Sequence, residues 1–231
     1  MIALAVALLV GSVAAFTYTQ KLKLERSPVA TAHFERWVSP ECDCPRATAG
    51  LRFRLREREH IDVTIVDRDG NFVKTLLAGS EEGPGLVRTK WDGRDEVGRI
   101  VPDGEYRVRV RMRNERRTIV IPVDIQVDTV PPRARLLGVS STTLGPGERI
   151  KLSYATNEFG RPFLLVDGEI AARGSRRTPG RRTVVWGGRM HRELLTPGIY
   201  AVSLIVQDRA GNRSEPTASA DIAVTAGDVR R

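Results

Sequence analysis

Between residues 106 and 113 the chain alternates strictly: Tyr106, Val108, Val110 and Met112 are apolar, and Arg107, Arg109, Arg111 and Arg113 are charged. Period two places one set in a core and the other outside, which is the pattern of a half-buried strand. Leu51, Phe53 and Leu55 alternate in the same way with Arg52, Arg54 and Arg56, and Ile61, Val63 and Ile65 with Asp62, Thr64 and Val66. Ile119, Ile121, Val123, Ile125 and Val127 predict one further strand. No segment after residue 34 keeps a helical period. Asp69-Gly70, Asp92-Gly93 and Asp103-Gly104 supply turn residues that tolerate positive φ. Short strands with a turn signal every eight to twelve residues or so predict a β-sandwich of immunoglobulin-like size.

The second half replays the first. Trp91-Asp92-Gly93 followed by Pro102-Asp103-Gly104-Glu105-Tyr106 corresponds to Trp186-Gly187-Gly188 followed by Pro197-Gly198-Ile199-Tyr200. Val66 to Gly70 and Val166-Asp167-Gly168 take matching hairpin positions. Two copies of one sandwich are the economical explanation. Between them, Asp128-Thr129-Val130-Pro131-Pro132 reads as a stiff hinge, because each proline fixes its own φ and restrains the residue before it. The expected architecture is all-β, two tandem immunoglobulin-like sandwiches behind an N-terminal hydrophobic helix. Its divisions are a signal peptide or anchor at 1–19, a tether at 20–34, sandwiches at 35–127 and 133–226 around the hinge at 128–132, and a polar tail at 227–231. Trp91, Tyr106, Trp186 and Tyr200 are expected to be packing anchors.

The strand Leu51 to Leu55, Val63 to Asp67 with Gly70, and above all Trp91-Asp92-Gly93 with Gly98 and Val101-Pro102-Asp103-Gly104-Glu105-Tyr106 resemble the FlgD-type immunoglobulin-like domain over residues 35–127. That family is named for the flagellar hook-capping protein and also occurs in secreted bacterial proteins. The second copy, with Asp128 to Pro132 before it and Asp208-Arg209-Ala210-Gly211-Asn212 near its end, resembles bacterial surface Ig-like repeats. The resemblance implies a fold and an extracytoplasmic setting, and fold alone does not give function.

The leader and the charge bear on the compartment. Residues 2–16 form an uncharged apolar run, with Lys21, Lys23 and Arg26 following it. This is a signal h-region or a short anchor. Counting positive charges alone would put the folded part in the cytoplasm; signal-peptide logic favours export, as a membrane-anchored or secreted protein. Of the formal +9, residues 35–127 hold only +1 and residues 128–231 hold +6. Only five of the 37 cations are Lys, so part of the basicity reflects an arginine-rich composition.

Four constellations could carry chemistry. Cys42 and Cys44 flank Asp43 between Pro40 and Pro45. The pair could close a small local disulfide, cross-link chains or offer thiolates to a soft metal, though no His or further Cys lies nearby to complete a zinc site. Asp67-Arg68-Asp69-Gly70-Asn71 has the opening rhythm of a calcium loop, but Ala78 stands where the closing Glu belongs and a hairpin explains every residue. His33, His60 and His191 are isolated, and no GxSxG, HExxH or GxxxxGK[ST] string occurs, so neither catalysis, cofactor nor resident metal is expected. Finally, Arg173, Arg176, Arg177, Arg181 and Arg182 crowd one Gly/Pro-containing stretch without an acid. Such a patch attracts anionic polymers or acidic proteins, whereas the aromatic platform of a single-stranded nucleic-acid site is missing. The expected role is a non-catalytic envelope module whose partner is an anionic surface polymer or a protein, with the membrane reached through the N-terminal segment and no nucleic acid involved. The alternatives are a structural accessory of an envelope or flagellar assembly and an enzyme-associated or regulatory domain pair.

Overall fold

In the computed structural model, which describes residues 27–226 together with Gly11, Ser12 and Phe16, three of the four alternating runs are strands. The chain lays down β1 (Val29–Phe34), β2 (Trp37–Val38), β3 (Ala49–Leu55), β4 (Glu59–Asp67), β5 (Phe72–Glu82), β6 (Gly85–Trp91), β7 (Gly104–Met112), β8 (Arg117–Val120) and β9 (Ile125–Val127). It then repeats with β10 (Ala134–Val139), β11 (Thr143–Leu144), β12 (Ile150–Thr156), β13 (Arg161–Val166), β14 (Glu169–Arg173), β15 (Gly180–Trp186), β16 (Arg189–Met190), β17 (Glu193–Leu194), β18 (Gly198–Gln207) and β19 (Ala220–Val224).

The sheet orders show the duplication directly. The first half pairs β1-β3-β6 against β2-β9-β7-β4-β5, with β8 added to β7; the second pairs β10-β12-β15 against β11-β19-β18-β13-β14. Each larger sheet opens with the same short parallel pairing, β2 on β9 and β11 on β19. The alternating residues seal two separate cores. One gathers Leu51, Phe53, Ile61, Val63, Ile65, Val108, Val110 and Met112, and the other Leu152, Tyr154, Leu164, Val166, Val202, Leu204 and Val206.

The repeated sequence motif is a repeated geometry. The indole Nε1 of Trp91 donates to the Arg94 carbonyl at 2.9 Å, and that of Trp186 to the Arg189 carbonyl at 2.9 Å. Gly93 and Gly188 take φ of 68° and 67°, a left-handed turn that lets the chain double back over each indole. The Tyr106 hydroxyl donates to the Pro102 carbonyl at 2.7 Å and the Tyr200 hydroxyl to the Thr196 carbonyl at 3.0 Å, four residues upstream in both cases. Trp91, Tyr106 and Trp186 are buried and Tyr200 is half-buried. Trp91 and Tyr106 also meet ring on ring, 5.1 Å between centroids.

Two expectations change, and a third falls outside the described residues. The strand predicted through residues 119–127 is two strands, because Pro122 offers no N–H to a ladder; around it Ile121 bonds Val108, and Val123 bonds back to Ile121. Residues 29–34, assigned from the sequence to the tether, are β1 of the first sandwich, paired with β3 from Val29↔Leu55 to Phe34↔Leu51. The expected N-terminal hydrophobic helix lies outside the described residues except for Gly11, Ser12 and Phe16, whose backbone is helical and whose surfaces are exposed. No helix among the described residues is long and apolar enough to cross a membrane.

Candidate functional site at the domain junction

The hinge ends in a docked junction, and most of the chemistry-bearing groups of the chain meet there. Asp208 to Asn212 is the centre of it. The Asp208 carboxylate accepts from Gly211 N, Asn212 N and Asn212 Nδ2 at 2.6, 2.9 and 2.8 Å. The first sandwich carries the same loop, Asp67 to Asn71, with the same bonds from Asn71 N and Nδ2. There the loop is solvent-facing, and its hydrogen bonds lower the Asp67 pKa, the Asn71 side chain most of all. The calcium-like rhythm is thus a self-capped turn in both copies.

In the second copy the loop is pressed into the first sandwich. The Ser39 hydroxyl donates to Asn212 Oδ1, and Asn212 Nδ2 also donates to the Asp128 carbonyl at 2.9 Å. Cys42 and Cys44 form a disulfide, and its sulfurs lie over Gly211: a Cβ at that position would sit 2.5 Å from Cys44 Sγ and 3.5 Å from Cys42 Sγ. An Arg46 Nη1 donates to the Arg209 carbonyl. The Arg209 guanidinium stacks over Phe159, 4.3 Å from the ring centre, and stands 5.6 Å from that of Trp37 in the other sandwich. A cleft of about 310 Å³ remains between them, lined by Glu41, Cys42, Asp43, Cys44, Thr129, Pro131, Gly211, Asn212 and Arg213.

On one flank of the junction, Asp128, Glu158 and Asp208 each bring a carboxylate oxygen within 4.8 Å of the others. An all-oxygen set suits a hard cation; calcium takes about six to eight oxygens, so three single donors supply at most half a shell. Burial raises the pKa of Glu158, with Asp208 and then Asp128 adding to it. Burial likewise raises that of Asp128, opposed by the Val130 N–H and reinforced by Asp208 and Asp103. Sequence reasoning missed this grouping because the three residues come from the hinge, the β12–β13 turn and the β18 turn, with no motif to join them.

These shifts have a sign that can be measured. A carboxyl whose folded pKa lies above its unfolded value takes up a proton on folding. Its contribution is therefore fully present below the ordinary carboxylate pKa near 4 and is lost as pH rises through the elevated folded value. At neutral pH Asp128 and Glu158 therefore oppose folding. Glu158→Gln, whose carboxylate makes no hydrogen bond among the described residues, is expected to raise the melting temperature by about 1–3 °C at neutral pH. The gain should vanish at about pH 4, where the native glutamate is itself protonated. A difference that stays constant across that range would show that no electrostatic cost resides at Glu158.

The five loop arginines do not converge. Arg182 is absorbed by its own turn, donating to the carbonyls of Thr178, Pro179 and Arg181 and to the Thr178 hydroxyl. Arg173 stands 5.7 Å from the centre of the Phe163 ring. Arg177 and Arg181 are exposed. Arg176 instead joins a different set, Arg46, Arg161 and Arg209 at the junction: burial lowers its pKa, and those three guanidiniums lower it further. The arginine row that runs along β7 is paired with acids at two of its four positions. Arg107 pairs with Asp124, Arg113 with Asp62, and Arg109 bonds the Gly70 carbonyl. The three histidines are exposed. The buried Glu59 carboxylate is consumed by backbone N–H groups of His60, Asn114 and Glu115.

Two duplicated sandwiches clasped at a disulfide-bearing junction define a tandem all-β sandwich protein. Residues 46–115 match the FlgD Ig-like domain family, so the resemblance seen in the WDG to PDGxY frame is also found by comparison with that family over the heart of the first sandwich. No curated protein matches the chain. Among solved structures, the fibronectin(III)-like modules of Clostridium thermocellum CbhA are 15% identical, covering 87% of this chain and 97% of that one at a TM-score of 0.47. The human OSCAR ligand-binding domain is 17% identical, with 83% and 96% covered and a TM-score of 0.35. The D0-D1 domain of intimin is 11% identical, with 84% and 98% covered and a TM-score of 0.32.

Proposed function

We propose that this chain is a non-catalytic, extracytoplasmic binding module, in which the docked tandem presents a basic surface of the second sandwich to an anionic envelope polymer or acidic protein. The observation that carries this reading is the distribution of unneutralised arginine. The ion pairs formed among the described residues all lie in the first sandwich, while Arg173, Arg176, Arg177 and Arg181 of the second are exposed and have no carboxylate partner there. The Cys42–Cys44 disulfide supports an oxidising compartment, hence export, and the apolar leader is read accordingly as a cleaved signal or a retained anchor. A structural accessory role in an envelope or flagellar assembly is the second reading, favoured by the FlgD-type first sandwich.

Binding of the purified chain to isolated cell envelopes separates the two. Contact through exposed arginines predicts affinity that falls steeply with salt, by about tenfold or more between 50 and 200 mM when several cations are engaged. Alanine at Arg173, Arg176, Arg177, Arg181 and Arg182 together should abolish most of it. A stoichiometric, salt-insensitive complex unaffected by that substitution would favour the accessory role.

A further inference from the structure

The junction places four guanidiniums together that the sequence scatters over 164 positions. The isolated bridge between Gly160 and Arg177, with N–H to carbonyl bonds of 3.0 and 2.8 Å in the two directions, sets Arg161 beside Arg176. Arg161 is also paired with Gln207, which bridges to Arg213, so the row faces outward at the end of β13 nearest the junction. From the other side, Arg46 reaches across to the Arg209 carbonyl. The Arg209 guanidinium carbon sits over the Phe159 ring, 4.3 Å from its centre, and a guanidinium seated on a ring face can keep N–H donors free for other partners.

The donors of this group are largely unused. Among the described residues, Arg161, Arg176 and Arg209 make no side-chain hydrogen bond and none of the four has a carboxylate partner. Arg161 Nε is fully buried and has no acceptor. A buried charged donor left without an acceptor costs more than an ordinary missing hydrogen bond. Like charges brought together from two domains add repulsion to that cost. A single anion with several oxygens would relieve both at once.

We propose that Arg46, Arg161, Arg176 and Arg209 form an oxyanion site for a phosphate group, bridging the two sandwiches. Arginine suits this chemistry because its planar fork meets phosphate oxygens two at a time. Arg161 Nε is the donor positioned to gain an acceptor. The phosphate arrives either as the free ion or as a diester within an envelope polymer. This inference rests on the binding reading above, but locates it at the junction and not along the exposed loop.

The test uses the full chain, with inorganic phosphate in one arm and a short poly(glycerol phosphate) in the other, both at constant ionic strength set with chloride. Arginine Nε–Hε resonances report the site. Saturable binding with a shift of the Arg161 Nε–Hε signal is expected in at least one arm. Stronger binding of the diester, per phosphate, identifies a polymer; equal or stronger binding of the free ion identifies the ion. Arg176→Gln and Arg161→Lys should each weaken binding at least tenfold, the latter because it keeps the charge and removes the planar donor. Arg88→Gln, exposed on β6 of the first sandwich and outside both proposed surfaces, should leave it unchanged. Binding in neither arm, a response matched by chloride, or equal loss in Arg88→Gln would overturn the site. The two readings fail separately. Phosphate binding without envelope binding would refute the proposed function alone, and salt-sensitive envelope binding without phosphate binding would refute the junction site alone.

Discussion

Gly211→Ala is expected to separate the two sandwiches. Gly211 has φ of 104°, a conformation that an L side chain rarely adopts, and its missing Cβ leaves room for the Cys44 sulfur. Left-handed strain and overpacking each cost about 1–3 kcal/mol, and both fall on a loop whose Asn212 ties Ser39 to the Asp128 carbonyl. Relief by undocking leaves each core intact, so the cost should appear as lost interdomain order and not as unfolding. Small-angle scattering should show a larger radius of gyration and a broader distance distribution, while the circular dichroism of the sheets persists. A double-mutant cycle isolates the contact. With Cys42 and Cys44 both changed to Ala, the steric part of the Gly211→Ala penalty should disappear and only the backbone part remain. If Gly211→Ala scatters like the native chain, the disulfide is not what positions the second sandwich.

The second large effect is expected at Trp91. Its ring is almost fully buried, its Nε1 has one acceptor, the Arg94 carbonyl, and the Tyr106 ring meets it at a tilt of 58°. Truncation to Ala removes all three contributions and leaves a cavity, which for buried aromatics costs about 3–5 kcal/mol. Against a typical domain stability of about 5–15 kcal/mol, that is enough to bring the first sandwich close to melting at physiological temperature. Trp186→Ala should do the same to the second. Because the two cores share no buried side chain, calorimetry of each variant should resolve two transitions where one domain has moved and the other has not. A single transition shifted equally by either substitution would mean that the junction couples the cores into one cooperative unit.

The fold was legible because its determinants are local. Alternation at Leu51–Leu55 and Tyr106–Met112 follows from the strand period alone. The Trp and Tyr bonds reach only three or four residues along the chain, so each copy of the motif is contained in a short window of sequence. What stayed illegible is long-range. Asp128, Glu158 and Asp208 carry no spacing that announces them, and Arg46 and Arg176 become neighbours only because the second sandwich docks on the first. In the arginine-rich loop the reverse holds, and neighbours in sequence take different partners in space. Density of charge in sequence suggested one contact surface, yet Arg182 folds back on Thr178 and Pro179 and Arg176 turns toward the junction. Cys42 and Cys44 lie between: their proximity made a disulfide conceivable, but nothing in the sequence says that its sulfurs rest on a glycine more than 160 residues away.

The two copies of the Asp-Arg-x-Gly-Asn turn differ in one respect: the first is bare and the second is clamped. Contacts from the first sandwich hold the Asp208–Asn212 turn beside the short Pro-Pro segment, sulfur on backbone, hydroxyl on amide oxygen, guanidinium on carbonyl and cation on ring, and together they restrict bending in more than one plane. A pair held in this way would turn as one body, its second sandwich kept at a set azimuth relative to the first, where freely jointed beads would swivel.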